Sequence, residues 1–402
     1  MNIQTLKGFR DFLPQEARKR QYVINTLKKV FEGYGFEPLE TPALEYQEIL
    51  AGKYGDEGDK LMYKFEDNGG RNVALRYDQT VPLARVVAQY GSQLPTPFKR
   101  YQIQPVWRAE NTQKGRFREF LQCDIDTVGL NSLYADAEIV ACSIKALESL
   151  GFKNFKVLIN DRTIFSVVSP SVIRAIDKLK KIGSEKVIEE LVETGLTKEQ
   201  AQTTLENISK ADLTPTLETV FNALKEMGVD SQKYEFSPTL ARGLDYYTGI
   251  ILEIEIDEYT AGSVLGGGRY DNLVGMFSSQ QVPAVGCAFG FDRILEAMEQ
   301  FDLFPKDLTT SKVLVTVFSE ELGEKSIEVA KKLRDANINT ELWLDAQSKL
   351  EKQLKYADQK GIPYVVIIGP NEATKNNVTL KNLANKTQEV LSLDELASKL
   401  SS

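Results

Sequence analysis

Histidine is absent from all 402 residues of the chain. That removes Ser-His and Cys-His nucleophilic catalysis, histidine acid-base chemistry and imidazole metal ligation. Whatever chemistry the chain performs runs on Arg, Asp, Glu, Tyr, Gln, Thr and ligand ions. Cysteine is nearly as scarce. Cys123, Cys142 and Cys287 are too few and too scattered for a disulfide framework or a zinc site, and they read as buried small residues. No stretch approaches the roughly 20 apolar residues of a membrane span, and the start, Met1 to Gly8, lacks the charged and apolar pattern of a signal peptide. A cytosolic protein with no membrane partner is expected. The net charge of −8 argues against a general nucleic-acid coat, but leaves room for RNA on a local basic face.

What is present suits a multidomain α+β protein, since 402 residues exceed the usual single domain. Tyr22, Val23, Leu27, Val30 and Phe31 recur at helical spacing across residues 15–32, and Gly33, Gly35, Pro38 and Pro42 then break the helix into extended chain. Strands are expected at 73–76, 98–108, 122–128 and 155–160, with helices near 80–90 and 134–150. Turns in place of regular crossovers predict an antiparallel sheet with flanking helices. From about 162 to 236 the texture becomes Lys- and Glu-rich and helical, with a capping-box pattern at Thr197–Gln200, which reads as a helical insertion. Strands resume at Ile250, and the first domain is expected to span 1–308. Beyond it, alternating β and α segments at crossover spacing predict a separate α/β domain over 309–402. No glycine-rich phosphate fingerprint follows its first strand.

The densest chemistry lies between Phe98 and Asp126. Two strands flank a polar loop containing Lys114, Arg116 and Arg118, and alternation sends Phe120, Gln122, Asp124 and Asp126 to one face. Arg108 and Glu110 share a face of the opposing strand. An arginine fork suits phosphate oxygens, and a phenyl ring offers a purine a stacking surface. The loop alone reads equally as a solvated hairpin, but inward carboxylates need partners. A second cluster, Arg242 to Gly249, sets a cation, a carboxylate and two phenols at the mouth of a strand. In isolation it is a polar strand entry.

Together these segments resemble the histidyl-tRNA synthetases, a family of class II aminoacyl-tRNA synthetases. Arg108-Ala109-Glu110 with Arg116 to Phe120 is similar to the second class-defining motif. Gly290-Phe291-Asp292-Arg293, after Ala284 to Gly286, is similar to the third, and Pro42 to the dimer-forming first. Leu75 to Thr80, Gln122 to Asp126, Arg242 to Gly249 and Gly266 to Asp271 resemble the histidine-specific signatures, and the likeness runs from Lys7 to the final helix. Asp78 and Asp126 stand where some members carry Glu.

The resemblance implies a class II catalytic domain, a carboxy-terminal anticodon-binding domain and a homodimer that joins histidine to tRNA(His) with ATP and Mg²⁺. It implies that Asp78, Gln79, Thr80, Gln122, Asp126, Tyr246 and Tyr247 bind histidine. Arg108 and Arg242 would serve both binding and catalysis, and Arg108, Glu110, Arg116, Phe120 and Arg293 would hold ATP. Lys114 and Arg116 would approach the acceptor stem. The alternative is a regulatory paralogue resembling the synthetase-like subunit of ATP phosphoribosyltransferase, which binds histidine and charges no tRNA.

Overall fold

A computed structural model describes residues 3–53, 55–112, 116–242, 246–278, 280–306 and 308–401. Lys114 and residues 243–245 of the Arg242–Gly249 cluster lie outside these. The chain divides into two compact units, Met1–Leu13 with Arg20–Leu303, and Pro14–Lys19 with Phe304–Ser402.

The first unit contains strands β1 (Glu37–Pro38), β2 (Leu44–Tyr46), β3 (Lys64–Glu66), β4 (Asn72–Leu75), β5 (Phe98–Trp107), β6 (Glu119–Val128), β7 (Phe155–Asp161), β8 (Tyr234–Phe236), β9 (Ile250–Ile256), β10 (Leu265–Arg269) and β11 (Ala284–Gly290). Eight of them form one sheet in the order β1-β5-β6-β11-β10-β9-β7-β8, and β2-β4-β3 form a small second sheet. The large sheet is antiparallel through its centre and gains a parallel pairing at each edge, β1 with β5 and β7 with β8.

The sheet's two faces differ because β5 and β6 each alternate. Tyr101, Ile103, Cys123 and Ile125 fall on one face, and Phe31 of the Pro14–Gly33 helix packs there against Tyr101 and Phe289 at ring separations of 5.8 and 5.4 Å. That helix buries Val23, Leu27 and Phe31, the expected apolar stripe. The other face carries polar side chains in cross-strand register: Arg100 opposite Asp126, Gln102 opposite Asp124, Gln104 opposite Gln122. Helices Pro170–Ile176, Leu179–Glu193, Lys198–Ser209 and Pro215–Glu226 follow β7, and Thr197 and Gln200 form the predicted capping box.

The second unit contains β12 (Val313–Val315), β13 (Thr340–Leu342), β14 (Tyr364–Ile367), β15 (Asn377–Asn382) and β16 (Thr387–Ser392), ordered β13-β12-β14-β15-β16. The first three are parallel and joined by the Gly323–Asp335 and Leu350–Lys360 helices, as the spacing predicts. The antiparallel β15–β16 hairpin extends this crossover pattern.

Candidate active site

The polar face of the central strands opens into two adjoining chambers in the first unit. The larger, about 340 Å³, has Gln122, Asp124 and Asp126 of β6 as its floor, with Asp78, Thr80, Arg242, Tyr246, Tyr247 and Tyr270 among its walls. The smaller, about 220 Å³, is lined by Glu110, Arg116 and Phe117 together with Asp292. Arg108, Phe120 and Arg293 line both chambers.

Each wall residue is held by identifiable contacts. Asp78 accepts from the backbone N–H of Val81 at 3.1 Å, so its carboxylate sits at the amino-terminal end of the Thr80–Tyr90 helix, where unpaired N–H groups favour negative charge. Arg108 Nε donates to the carbonyl of Tyr77 at 3.1 Å, and its guanidinium lies 4.5 Å from the Tyr77 ring and 5.1 Å from Phe120. Packed between two aromatic rings, it keeps an edge of N–H donors for an anion. Arg242 Nη1 meets Glu253 Oε1 at 2.9 Å, and Arg293 Nη1 donates to the Ser263 carbonyl at 2.7 Å. Arg116 lies 3.6 Å from Glu110 Oε2. Arg108 and Arg293 thus line both chambers, with Arg242 in the larger and Arg116 in the smaller, an arrangement suited to a polyphosphate beside a small polar molecule.

The model for histidyl-tRNA synthetases matches residues 8–294, and that for the anticodon binding domain matches residues 312–402. The Histidine--tRNA ligase of Cytophaga hutchinsonii is 41% identical over 98% of both chains, and that of Rhodopirellula baltica is 41% identical over 96% of this chain and 94% of its own. The crystal structure of histidyl-tRNA synthetase from a Nostoc species superposes with a TM-score of 0.88 at 32% identity, covering 100% of this chain and 99% of that one. The chain belongs to the histidyl-tRNA synthetase family.

Of the residues that the synthetase likeness marks for histidine, Asp78, Thr80, Arg108, Gln122, Asp126, Arg242, Tyr246 and Tyr247 all line the larger chamber. Gln79 does not. It is fully buried, and its Nε2 donates to the carbonyls of Gln104 and Gln122 at 2.9 and 3.2 Å. The helix start turns Asp78 and Thr80 toward the cavity and Gln79 into the sheet, so Gln79 braces the floor from behind. Arg108, Glu110, Arg116, Phe120 and Arg293 all line the smaller chamber. Arg108 and Glu110 lie beyond the end of β5 at Trp107, where the backbone of Arg108 bonds to Arg118, so loop geometry and not strand alternation places them.

Beneath the floor lies a buried polar layer given no role by the sequence motifs. Arg100 is fully buried, with Nη2 2.7 Å from Asp126 Oδ2 and 3.9 Å from Asp124 Oδ2. Tyr270 donates its hydroxyl to Asp126 Oδ1. Gln122 Nε2 donates to Asp124 Oδ2 at 3.1 Å. Arg100, Gln102 and Gln104 alternate along β5 as Gln122, Asp124 and Asp126 do along β6, and that shared period was the available signal.

One cation faces two carboxylates here. Burial pushes the Asp124 carboxyl well above its usual range, with Arg100 opposing and Asp126 and Asp78 adding. Burial also raises Asp126, against Arg100 and Tyr270. Asp126 is the nearer to Arg100 and the better hydrogen-bonded, so it is the one that ionises first. Burial opposes the charge of Arg242, yet Tyr247, Glu253, Tyr246 and Asp177 hold its guanidinium above the ordinary value. It stays a cation at any working pH.

Proposed function

We propose that the chain is a histidine–tRNA ligase. It condenses histidine with ATP to histidyl-adenylate and pyrophosphate, then passes the histidyl group to the 3′ end of tRNA(His). The observation that carries this reading is the pair of chambers sharing Arg108, Phe120 and Arg293, one with a carboxylate floor and phenol walls and one bordered by arginines. In the larger chamber, Asp78, Thr80 and Gln122 take the amino group of histidine. Asp126 and Tyr247 face its two ring nitrogens, and Tyr246 closes the side. A site of buried polar groups rejects analogues that leave those groups unpaired, so selectivity needs no editing step.

The reaction is in-line attack of the histidine carboxylate on the α-phosphorus, and no protein nucleophile takes part. Arg242 sits at the carboxylate and α-phosphate and Arg108 at the α-phosphate, so charge that builds in the transition state meets cations already in place. Glu110 and Phe120 position adenine, and Arg116 and Arg293 bind the outer phosphates. Arg116 exchanges Glu110 for phosphate as ATP enters. Mg²⁺ belongs to the triphosphate and arrives with it as substrate. Among the described residues no cluster of three acidic or thiol groups is poised to hold a metal.

The carboxy-terminal domain, which we place at 309–402, would hold the anticodon, with the helical insertion at about 162–236 belonging to the catalytic domain at 1–308. A homodimer fits the exposed Leu44, Tyr46 and Phe65 on the small sheet near Pro42. A cytoplasmic location follows from the same reading; among the described residues no helix is long and apolar enough to cross a membrane. Histidine-dependent exchange between ATP and pyrophosphate tests the activity. A histidine-binding regulatory paralogue would bind the amino acid and give no exchange, and that result would overturn the reading. The match over residues 312–402 favours the ligase.

A further inference from the structure

Among the described residues, three acceptors on the chamber floor have no hydrogen-bond partner, Gln122 Oε1, Asp124 Oδ1 and Asp126 Oδ2, and only the last has an ion pair, with Arg100 at 2.7 Å. Gln122 Oε1 and Asp124 Oδ1 are buried without a hydrogen bond, although Gln122 and Asp124 both line the cavity and are 8% and 2% exposed. Buried acceptors left unmade are costly, and a native site that keeps them is built for something that donates. The remaining floor carboxylate is already engaged: Asp126 has the Tyr270 hydroxyl on Oδ1 and Arg100 beside Oδ2. The side-chain amide of Gln122 is oriented by Asp124, which accepts a hydrogen bond from its Nε2 and so leaves Oε1 as the free acceptor end.

We infer that Asp124 is a direct ligand of the substrate's α-ammonium group, its Oδ1 accepting from that cation together with Gln122 Oε1. The inference rests on reading the larger chamber as the histidine site, and gives a contact to a residue that lies inside the Gln122–Asp126 signature but is not among the residues that the resemblance marks for histidine. Gln122 and Asp124 point from one face of β6, so their side-chain ends lie on the same side of the strand. A primary ammonium is compact, carries three donors and no acceptor, and suits several acceptors at once. An imidazole ring nitrogen offers one donor at most. Charge balance points the same way, because Arg100 is one cation against Asp124 and Asp126 and lies 3.9 Å from the first and 2.7 Å from the second. An arriving ammonium supplies the missing positive charge. Asp124 thus acts at the substrate, and Arg100 acts through the two carboxylates as a positioning residue.

The test is binding of three ligands to the full chain by calorimetry, comparing the wild type with Asp124→Asn. The ligands are histidine, histidinol, which keeps the amine, and imidazolepropionate, which lacks it. Histidine and histidinol should weaken by about tenfold or more, as for a lost hydrogen bond to a charged group, while imidazolepropionate changes by less than about twofold. Equal weakening of all three ligands would assign Asp124 a purely structural role and overturn the inference, as would unchanged histidine affinity. Failure of the wild type to bind histidine would instead remove the reading of the chamber itself. If Asp124→Asn does not fold, a crystal structure of the wild type with histidine decides. Asp124 Oδ1 should lie about 3 Å from the amine nitrogen, and a separation beyond about 4 Å sinks the proposal.

Discussion

Gly266 lies directly beneath the guanidinium of Arg242: a Cβ added there would stand 1.8 Å from Nη1. Only a residue without a side chain lets the arginine rest on β10 and still reach Glu253. Gly266→Ala should therefore displace Arg242 and lower the exchange rate by on the order of 10²-fold, as misplacement by about 1 Å does. Arg242→Ala should cost about 10²–10³ in kcat for adenylate formation, the range for a lost charge-stabilising donor. Affinity for tRNA, measured by filter binding, should change far less in both variants.

Arg100 is the sole described cation beside the buried Asp124 and Asp126. Arg100→Leu would leave those carboxylates uncompensated and should lower unfolding stability by about 3–5 kcal/mol, measured by denaturant titration. A loss under about 1 kcal/mol would mean that the carboxylates take up protons at little cost.

Asp124 should limit the stability of the free enzyme. Its folded pKa lies above the unfolded value of about 3.9, so in the window between them the native state binds more protons than the unfolded chain. Stability contributed by this group is present below the unfolded pKa and is lost as pH rises through the folded one. Asp124→Asn removes that loss. The variant should melt higher than the wild type at about pH 7, with the gap closing toward about pH 4, as thermal scans across pH would show.

The amino-terminal segment braces the smaller chamber. Arg10 and Arg20 reach Asp292 Oδ1 at 3.0 and 3.2 Å, and the Arg10 guanidinium lies 3.2 Å from the Phe117 ring. Asp292 precedes Arg293 in the Phe291–Gln300 helix, so these contacts fix the angle at which Arg293 meets the chamber. Arg20→Ala should raise KM for ATP by about tenfold and leave KM for histidine within about twofold. Equal increases in both constants would argue for general loosening.

With no imidazole in the enzyme, an inflection in histidine affinity near pH 6–7 belongs to the substrate's ring, whose reference pKa is about 6.5. An analogue with a less basic ring should shift the inflection downward by the difference in ring pKa. A fixed inflection would transfer it from the substrate to the protein and overturn this assignment.

Much of this site was legible because its residues carry local signals. Alternation in β6 marked Gln122, Asp124 and Asp126 as one face, and the capping box at Thr197 marked a helix start. What stayed hidden was the layer behind. Arg100 looks like one more basic residue in Phe98 to Arg108 until the register sets it opposite Asp126, and register is a long-range property. Gln79 was misplaced for the same reason, since its neighbours face the cavity and only the fold shows that it turns away. Glu253 approaches from β9, far along the chain, and carries no motif of its own, and Tyr270 lies inside the Gly266–Asp271 signature, which gives no sign of its bond to Asp126.

The strict alternation of β5 and β6 also limits how this pocket can change over generations. Inserting or deleting one residue before Gln122 without breaking the pairing would turn Cys123 and Ile125 upward and send Asp124 and Asp126 into the packing around Phe31. Such a change abolishes recognition and the core together, leaving no viable intermediate. Length variation is therefore excluded from these strands, and divergence in amino-acid preference has to proceed by point substitution.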